Sequence, residues 1–150
     1  MSPDGRRIAY ARPNGTWLMN AHTGRPIRRL WRRTAWSIDW APDGRRLVLT
    51  APGRGDLNNW ADAYVVRADG TDLRRLISTP KVSEVSAVWS PDGRRIAFVR
   101  RVTRRSKIVQ AIWTMRSNGT GQRRIRGPWT QHDEEGHGQP RISWQPRLQR

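Results

Sequence analysis

The chain has no cysteine in its 150 residues, which excludes disulfides, thiolate metal ligation and a cysteine nucleophile. No stretch approaches the ~18 consecutive apolar residues of a membrane-spanning helix, and Met1 leads straight into Ser2-Pro3-Asp4-Gly5 rather than into a charged segment and an apolar run. Neither a span nor an export signal is expected, and the compartment is left open. Histidines number three and no Gly-x-Ser-x-Gly pentapeptide occurs, so the serine-hydrolase nucleophile elbow is missing. Lysine is nearly absent: Lys81 and Lys107 are the only two, and the net charge of +17 comes almost wholly from arginine. Such an excess reads first as a solvated, arginine-decorated surface and second as a footprint for nucleic acid or an acidic polymer. No catalytic residue and no cofactor is expected.

The chain is rich in repetition. One phrase occurs three times, as Ser2-Pro3-Asp4-Gly5-Arg6-Arg7-Ile8-Ala9-Tyr10, Ala41-Pro42-Asp43-Gly44-Arg45-Arg46-Leu47-Val48-Leu49 and Ser90-Pro91-Asp92-Gly93-Arg94-Arg95-Ile96-Ala97-Phe98. A repeat of this length matches four-stranded propeller blades, which bury their faces only by stacking on neighbours. Pro-Asp-Gly is a tight turn: proline presets φ, aspartate bonds its own backbone and glycine accepts positive φ. A second turn follows at Asp69-Gly70-Thr71 and Asn118-Gly119-Thr120, with Asn20 to Gly24 as a looser copy. Two turns frame four strands per repeat.

Each strand has its own character. The one before Pro-Asp-Gly alternates, with Trp36, Ile38 and Trp40, then Val85, Ala87 and Trp89, then Pro140, Ile142 and Trp144, so one face is expected to be buried. The strand after the turn is apolar on both faces and is predicted to be core. The third carries Trp17 and Met19, Tyr64 and Val66, Trp113 and Met115. The fourth carries doubled arginines (Arg28-Arg29, Arg74-Arg75, Arg123-Arg124), whose charge protects an outer edge from pairing with another sheet. Asp4, Gly5, Asp43, Gly44, Asp92 and Gly93 are assigned to turn structure, and Trp40, Trp89 and Trp144 to inter-blade packing.

These phrases resemble the repeats of the TolB-like, WD40-like (PD40-type) β-propeller family, and Trp89 to Ile125 matches that pattern nearly word for word. The resemblance implies an all-β fold of three four-stranded antiparallel blades, about half of a six-bladed propeller. It implies a non-catalytic scaffold for a protein or peptide partner, periplasmic or extracellular in a bacterium. Similar propellers also stand before the hydrolase domain of prolyl-oligopeptidase-like peptidases, so a regulatory propeller is one alternative; a nucleic-acid or carbohydrate-binding module is another.

Residues 1–150 are read as a single propeller region: blade 1 at 1–33, completed by a strand at 140–146, blade 2 at 34–79 and blade 3 at 84–127. The first repeat begins at its turn and lacks an inner strand, whereas the last segment supplies a surplus one. Two explanations stay open: a terminal portion of a longer propeller, or a homodimer in which each last strand completes the partner's first blade to close a six-bladed ring.

Both tight turns fall on one rim, so the opposite rim collects the longer connections, expected as loops at 11–15, 51–61, 101–109 and between blades. Variable loops on a rigid scaffold are where binding resides. Trp60, Arg101, Arg104, Arg105, Lys107, Trp129 and Glu134 are the candidate partner contacts, since arginine with tryptophan is hot-spot composition. His132, Asp133, Glu134 and His137 offer ligand types for a metal, but their spacing lacks a fixing frame, and a plain polar loop is expected there. His22 has no companion at its turn.

Overall fold

A computed structural model of the chain describes residues 1–53, 60–130 and 142–144. Among them are eleven strands in three antiparallel sheets. Blade 1 is β1 (Arg7–Arg12), β2 (Gly15–Asn20) and β3 (Pro26–Trp31). Blade 2 is β4 (Ser37–Trp40), β5 (Arg46–Pro52), β6 (Ala61–Arg67) and β7 (Arg74–Ile77). Blade 3 is β8 (Ser83–Trp89), β9 (Arg95–Arg104), β10 (Lys107–Arg116) and β11 (Arg123–Thr130). Strands pair in sequence order within each sheet, the up-and-down arrangement that consecutive tight turns enforce.

The turns are built as the repeated phrase demands. The Gly5, Gly44 and Gly93 amides each donate to the carbonyl three residues earlier, at 2.9 Å. Asp4, Asp43 and Asp92 each accept from the N–H two residues on, at 3.1, 2.8 and 3.0 Å. In the first and third copies a serine hydroxyl braces the aspartate, Ser2 to Asp4 at 2.5 Å and Ser90 to Asp92 at 2.6 Å. Ala41 replaces that serine in the second copy; it is buried, as Ser2 and Ser90 are, but offers no hydroxyl to the aspartate.

Blades stack through faces of unequal bulk. Leu47, Leu49, Tyr64 and Val66 of blade 2 pack toward blade 1, onto Ala9 and Leu18. Ile96, Phe98, Trp113 and Met115 of blade 3 pack toward blade 2, onto Val48, Ala63 and Val65. Each middle strand is therefore apolar on both faces, as predicted, and β5 is buried from Leu47 to Ala51. The corresponding face of blade 1 (Ile8, Tyr10, Trp17 and Met19) is half-buried. Tryptophans seal the seams: Trp40 and Trp89 are buried at the ends of β4 and β8, and the Asp39 carboxylate accepts the Trp89 N–H at 2.7 Å.

Among the described residues blade 1 shows three strands, with none on the inner side of β1, and the strand expected at 140–146 to complete it falls largely outside those residues. Ile142, Ser143 and Trp144 carry no strand pairing; Ile142 packs on Ala61, Val85 and Val99, while Ser143 and Trp144 face Trp40 and Trp89 across a hollow of about 220 Å³. Trp36 is 50% exposed rather than buried, because it precedes β4 and only Ile38 and Trp40 reach the seam. In β8 burial still alternates, but a bulge, with Ser86 at φ 53 and a register shift between Val85 and Val88, splits the expected single face: Val85 pairs with Val99 and packs with Ala61, whereas Ala87 and Trp89 join the core with Ile96 and Phe98. The stretch 101–109 is no open loop: β9 and β10 run on as one hairpin to a two-residue turn, Arg105-Ser106, whose φ values of 47 and 63 match the mirror-image turn that suits a twisted ribbon.

Candidate functional site

The far rim, opposite the Pro-Asp-Gly turns, carries a cleft at each seam between blades, and the same repeat positions build both. At the seam of blades 2 and 3 a cleft of about 250 Å³ lies beneath the long hairpin. Register sets Arg104 opposite Lys107, Val102 opposite Val109 and Arg100 opposite Ala111. Directly opposed residues share a sheet face, so these pairs form one wall, the face turned toward blade 2. Thr79 and Val82 of the inter-blade connection, with Trp113 and Arg124, complete the lining. At the seam of blades 1 and 2 a larger hollow of about 570 Å³ is lined by Trp31, Arg32, Arg33, Tyr64, Leu73 and Arg75. Tyr64 and Arg75 stand there at the repeat positions that Trp113 and Arg124 hold one blade later.

Each cleft rests on a buried acid that fixes an arginine. Glu84, 0% exposed, sits opposite Arg100 in the β8–β9 register and accepts from its Nε at 3.2 Å. Arg100 also donates through Nη2 to Gln122 at 2.9 Å, and its guanidinium lies 4.3 Å over the Trp113 ring. Burial pushes the Glu84 carboxyl up to about 7, against the opposing pull of Thr79 and Arg100, and its Oε2 is buried with no hydrogen-bond partner among the described residues. In blade 2 the acid has moved to the third strand. Asp62 accepts from Arg75 Nη1 at 3.1 Å and from the Tyr64 hydroxyl at 3.3 Å. Burial, then the charge of Asp62, pushes the Tyr64 phenol up. The result is guanidinium groups held against aromatic rings, with donors left over for a planar anion.

The structure divides the residues predicted from sequence. Arg104 and Lys107 share the cleft wall and Arg105 forms the hairpin turn beyond it. Arg101 and Trp129 lie on the other face of blade 3, each opposite Gln110, and burial lowers the Arg101 pKa. Trp60 stands apart on the connection into β6, half-buried. His132, Asp133, Glu134 and His137 lie outside the described residues; among the described residues no group of three or more His, Asp or Glu could hold a metal ion. Sequence reasoning missed Glu84 as a site residue, and with it Asp62 and the aromatic partners. A signal was present: folding the chain at Pro91-Asp92-Gly93 brings the lone acid of β8 opposite Arg100.

Sheets of this connectivity, ordered from inner to outer strand and stacked face to face, define β-propeller blades. The chain is built of TolB-like β-propeller repeats. It is 35% identical to the Tol-Pal system protein TolB of Anaeromyxobacter dehalogenans over 124 residues, 80% of this chain and 26% of that relative. It is 28% identical to the uncharacterized peptidase YuxL of Bacillus subtilis over 108 residues, 63% of this chain and 16% of the relative. In fold it is similar to the putative TolB from Agrobacterium tumefaciens, with a TM-score of 0.65 at 24% identity, covering 85% of this chain and 44% of that one. The matches thus span about a quarter or less of these two sequence relatives. No protein-family model matches the chain. Among the described residues no helix is long and apolar enough to cross a membrane.

Proposed function

We propose that the chain is a non-catalytic propeller scaffold that docks a protein or peptide partner through its far rim, in the bacterial cell envelope. The carrying observation is the cleft beneath the β9–β10 hairpin, whose strands are ten residues each against six or seven in the matching hairpins. The added length raises Arg104, Arg105 and Lys107 into solvent beside a half-buried apolar pair, Val102 and Val109. Arginine around an apolar floor is the composition of protein-docking surfaces. Similarity to a Tol-Pal system protein supports the envelope assignment.

A photo-crosslinking residue placed at 107 and, separately, at 94 on the tight-turn rim tests this in cells. Crosslinks to a discrete protein from 107 and none from 94 are expected. Adducts from 94 alone, or only nucleic acid from 107, would overturn the reading. Similarity to a peptidase favours a second reading, in which blades of this kind regulate access to a hydrolase. That reading requires crosslinks from 107 to land on a hydrolase domain.

A further inference from the structure

We propose that the hollow between blades 1 and 2 is a second docking site, which receives an acidic peptide segment with an apolar side chain between its carboxylates. This deepens the scaffold reading and rests on it. The volume of about 570 Å³ exceeds that of the hairpin cleft, and the hollow shares none of its residues. Three guanidinium groups, of Arg32, Arg33 and Arg75, surround Leu73 and the ring pair Trp31–Tyr64. Among the described residues only the Asp62 carboxylate answers them, and it is committed to Arg75 and Tyr64.

Arg33 and Arg75 are held in place, Arg75 by its bond to Asp62 at 3.1 Å. Arg33 lies 5.5 Å over the Trp31 ring and donates Nη2 to the Gly53 carbonyl at 2.9 Å, and its Nη1 is buried, so it contributes positive charge beneath the hollow rather than an open donor. Arg32 is exposed. Planar guanidinium donors fixed a short way apart match carboxylates, and Leu73 between them matches an apolar side chain. Nucleic acid fits less well: the two rings are 4.7 Å apart at 50° and already in contact, so no base can stack between them.

The test uses the full chain and two acetylated, amidated hexapeptides, one of glutamate with a central leucine pair and one with glutamine in place of each glutamate. Calorimetry at 150 mM salt reads the affinity. The acidic peptide is expected to bind in the micromolar range and the neutral one at least tenfold more weakly. Arg32→Glu, at an exposed position, should weaken the acidic peptide by about tenfold, while Arg6→Glu on the opposite rim makes the same charge change and should alter it by less than about twofold. Equal loss in both variants would mean diffuse attraction only and would overturn the site. Displacement of the peptide by millimolar inorganic phosphate, or tighter binding of a single-stranded oligonucleotide, would overturn it as well. Crosslinking from position 107 is independent of these results, so partner capture there without peptide binding here removes this site alone. Loss of both removes the scaffold reading.

Discussion

The guanidinium of Arg46 lies 4.9 Å from the centroid of the Trp89 ring, across the seam between blades 2 and 3. Arg7 repeats the contact on Trp40 at 4.9 Å, one blade earlier. The second arginine of the repeated phrase thus clamps the tryptophan that closes the next blade's inner strand. Arg46 is also steered by Asp43, whose Oδ2 lies 2.8 Å from its Nη2. Arg46→Gln is expected to cost about 1–2 kcal/mol, since a partly desolvated cation over indole is stronger than an exposed one. A chain of this size should then lose roughly 3–6 °C in melting temperature, checked by calorimetry. Arg45→Gln, one residue earlier and facing solvent, should leave the melting temperature within about 1 °C.

Gly119 tests the outer seam. Its φ is +92, and an added Cβ would come within 2.7 Å of the Leu76 carbonyl oxygen of the preceding blade. Strain and backbone collision add, so Gly119→Ala should destabilise by at least about 2 kcal/mol. Gly24 has φ +66 but nothing within 4 Å of the added carbon, and the same change there should cost only about 1 kcal/mol. Equal losses in urea unfolding would refute a seam contribution.

Stability should peak near about pH 5, since two sets of carboxyls act in opposite directions. Hydroxyl hydrogen bonds from Ser2, Thr71 and Ser90 lower the pKa of Asp4, Asp69 and Asp92, so their contribution is present above the ordinary value of 3.8 and is lost as pH falls below it. Glu84 has the opposite sign. Its pKa is raised from 4.5 to about 7, so the folded chain holds a proton that the unfolded chain releases, and stability declines as pH rises through that window. The decline is limited to about 1.4 kcal/mol per pH unit. Asp39, also raised by burial, adds to the slope. Urea titrations from pH 4 to 8 should show the decline, and Glu84→Gln should flatten it to the residue left by Asp39.

The hairpin turn carries strain that a better turn pair removes. Arg105 and Ser106 both have positive φ, where Asn-Gly is the preferred pair. The double change Arg105→Asn, Ser106→Gly should therefore stabilise the chain by about 0.5–1 kcal/mol. It should also reduce crosslinking from position 107, by removing a basic group from the rim. A variant no more stable than the parent would mean that the turn is already relaxed.

The apolar face of blade 1 should drive association. Ile8, Tyr10, Trp17 and Met19 occupy the positions that are buried against a preceding blade in blades 2 and 3, and β1 has an unpaired side among the described residues. Light scattering across a concentration series should give a mass rising above 17.4 kDa, and Ile8→Lys with Tyr10→Lys should return it to that value. A mass independent of concentration in the parent would refute this.

The blades were legible because Pro-Asp-Gly recurs with alternating tryptophans beside it, and turn chemistry and period-two burial are local properties. Trp36 misled because alternation says which face a side chain joins and not where the strand begins. Arg101 to Lys107 read as a loop because charge masks a strand when no cross-strand partner is in view; only the register, with Val102 against Val109, reveals the ribbon. The clefts were hidden for a related reason. Glu84 and Arg100, or Asp62 and Arg75, meet only after a hairpin is closed, and Trp31 and Tyr64 meet only after two blades are stacked.

The unequal faces give the stack a grain. Every blade presents bulky side chains backward and small ones forward, Phe98 against Val48 and Leu49 against Ala9, so a unit fits its neighbour in one sense only. An extra blade copied from residues 34–79 and spliced in tandem would meet surfaces shaped for it on both sides. The same unit reversed would set bulk against bulk. Growth by in-line duplication is thereby permitted and inversion forbidden, and the polarity of the chain becomes the polarity of the assembly.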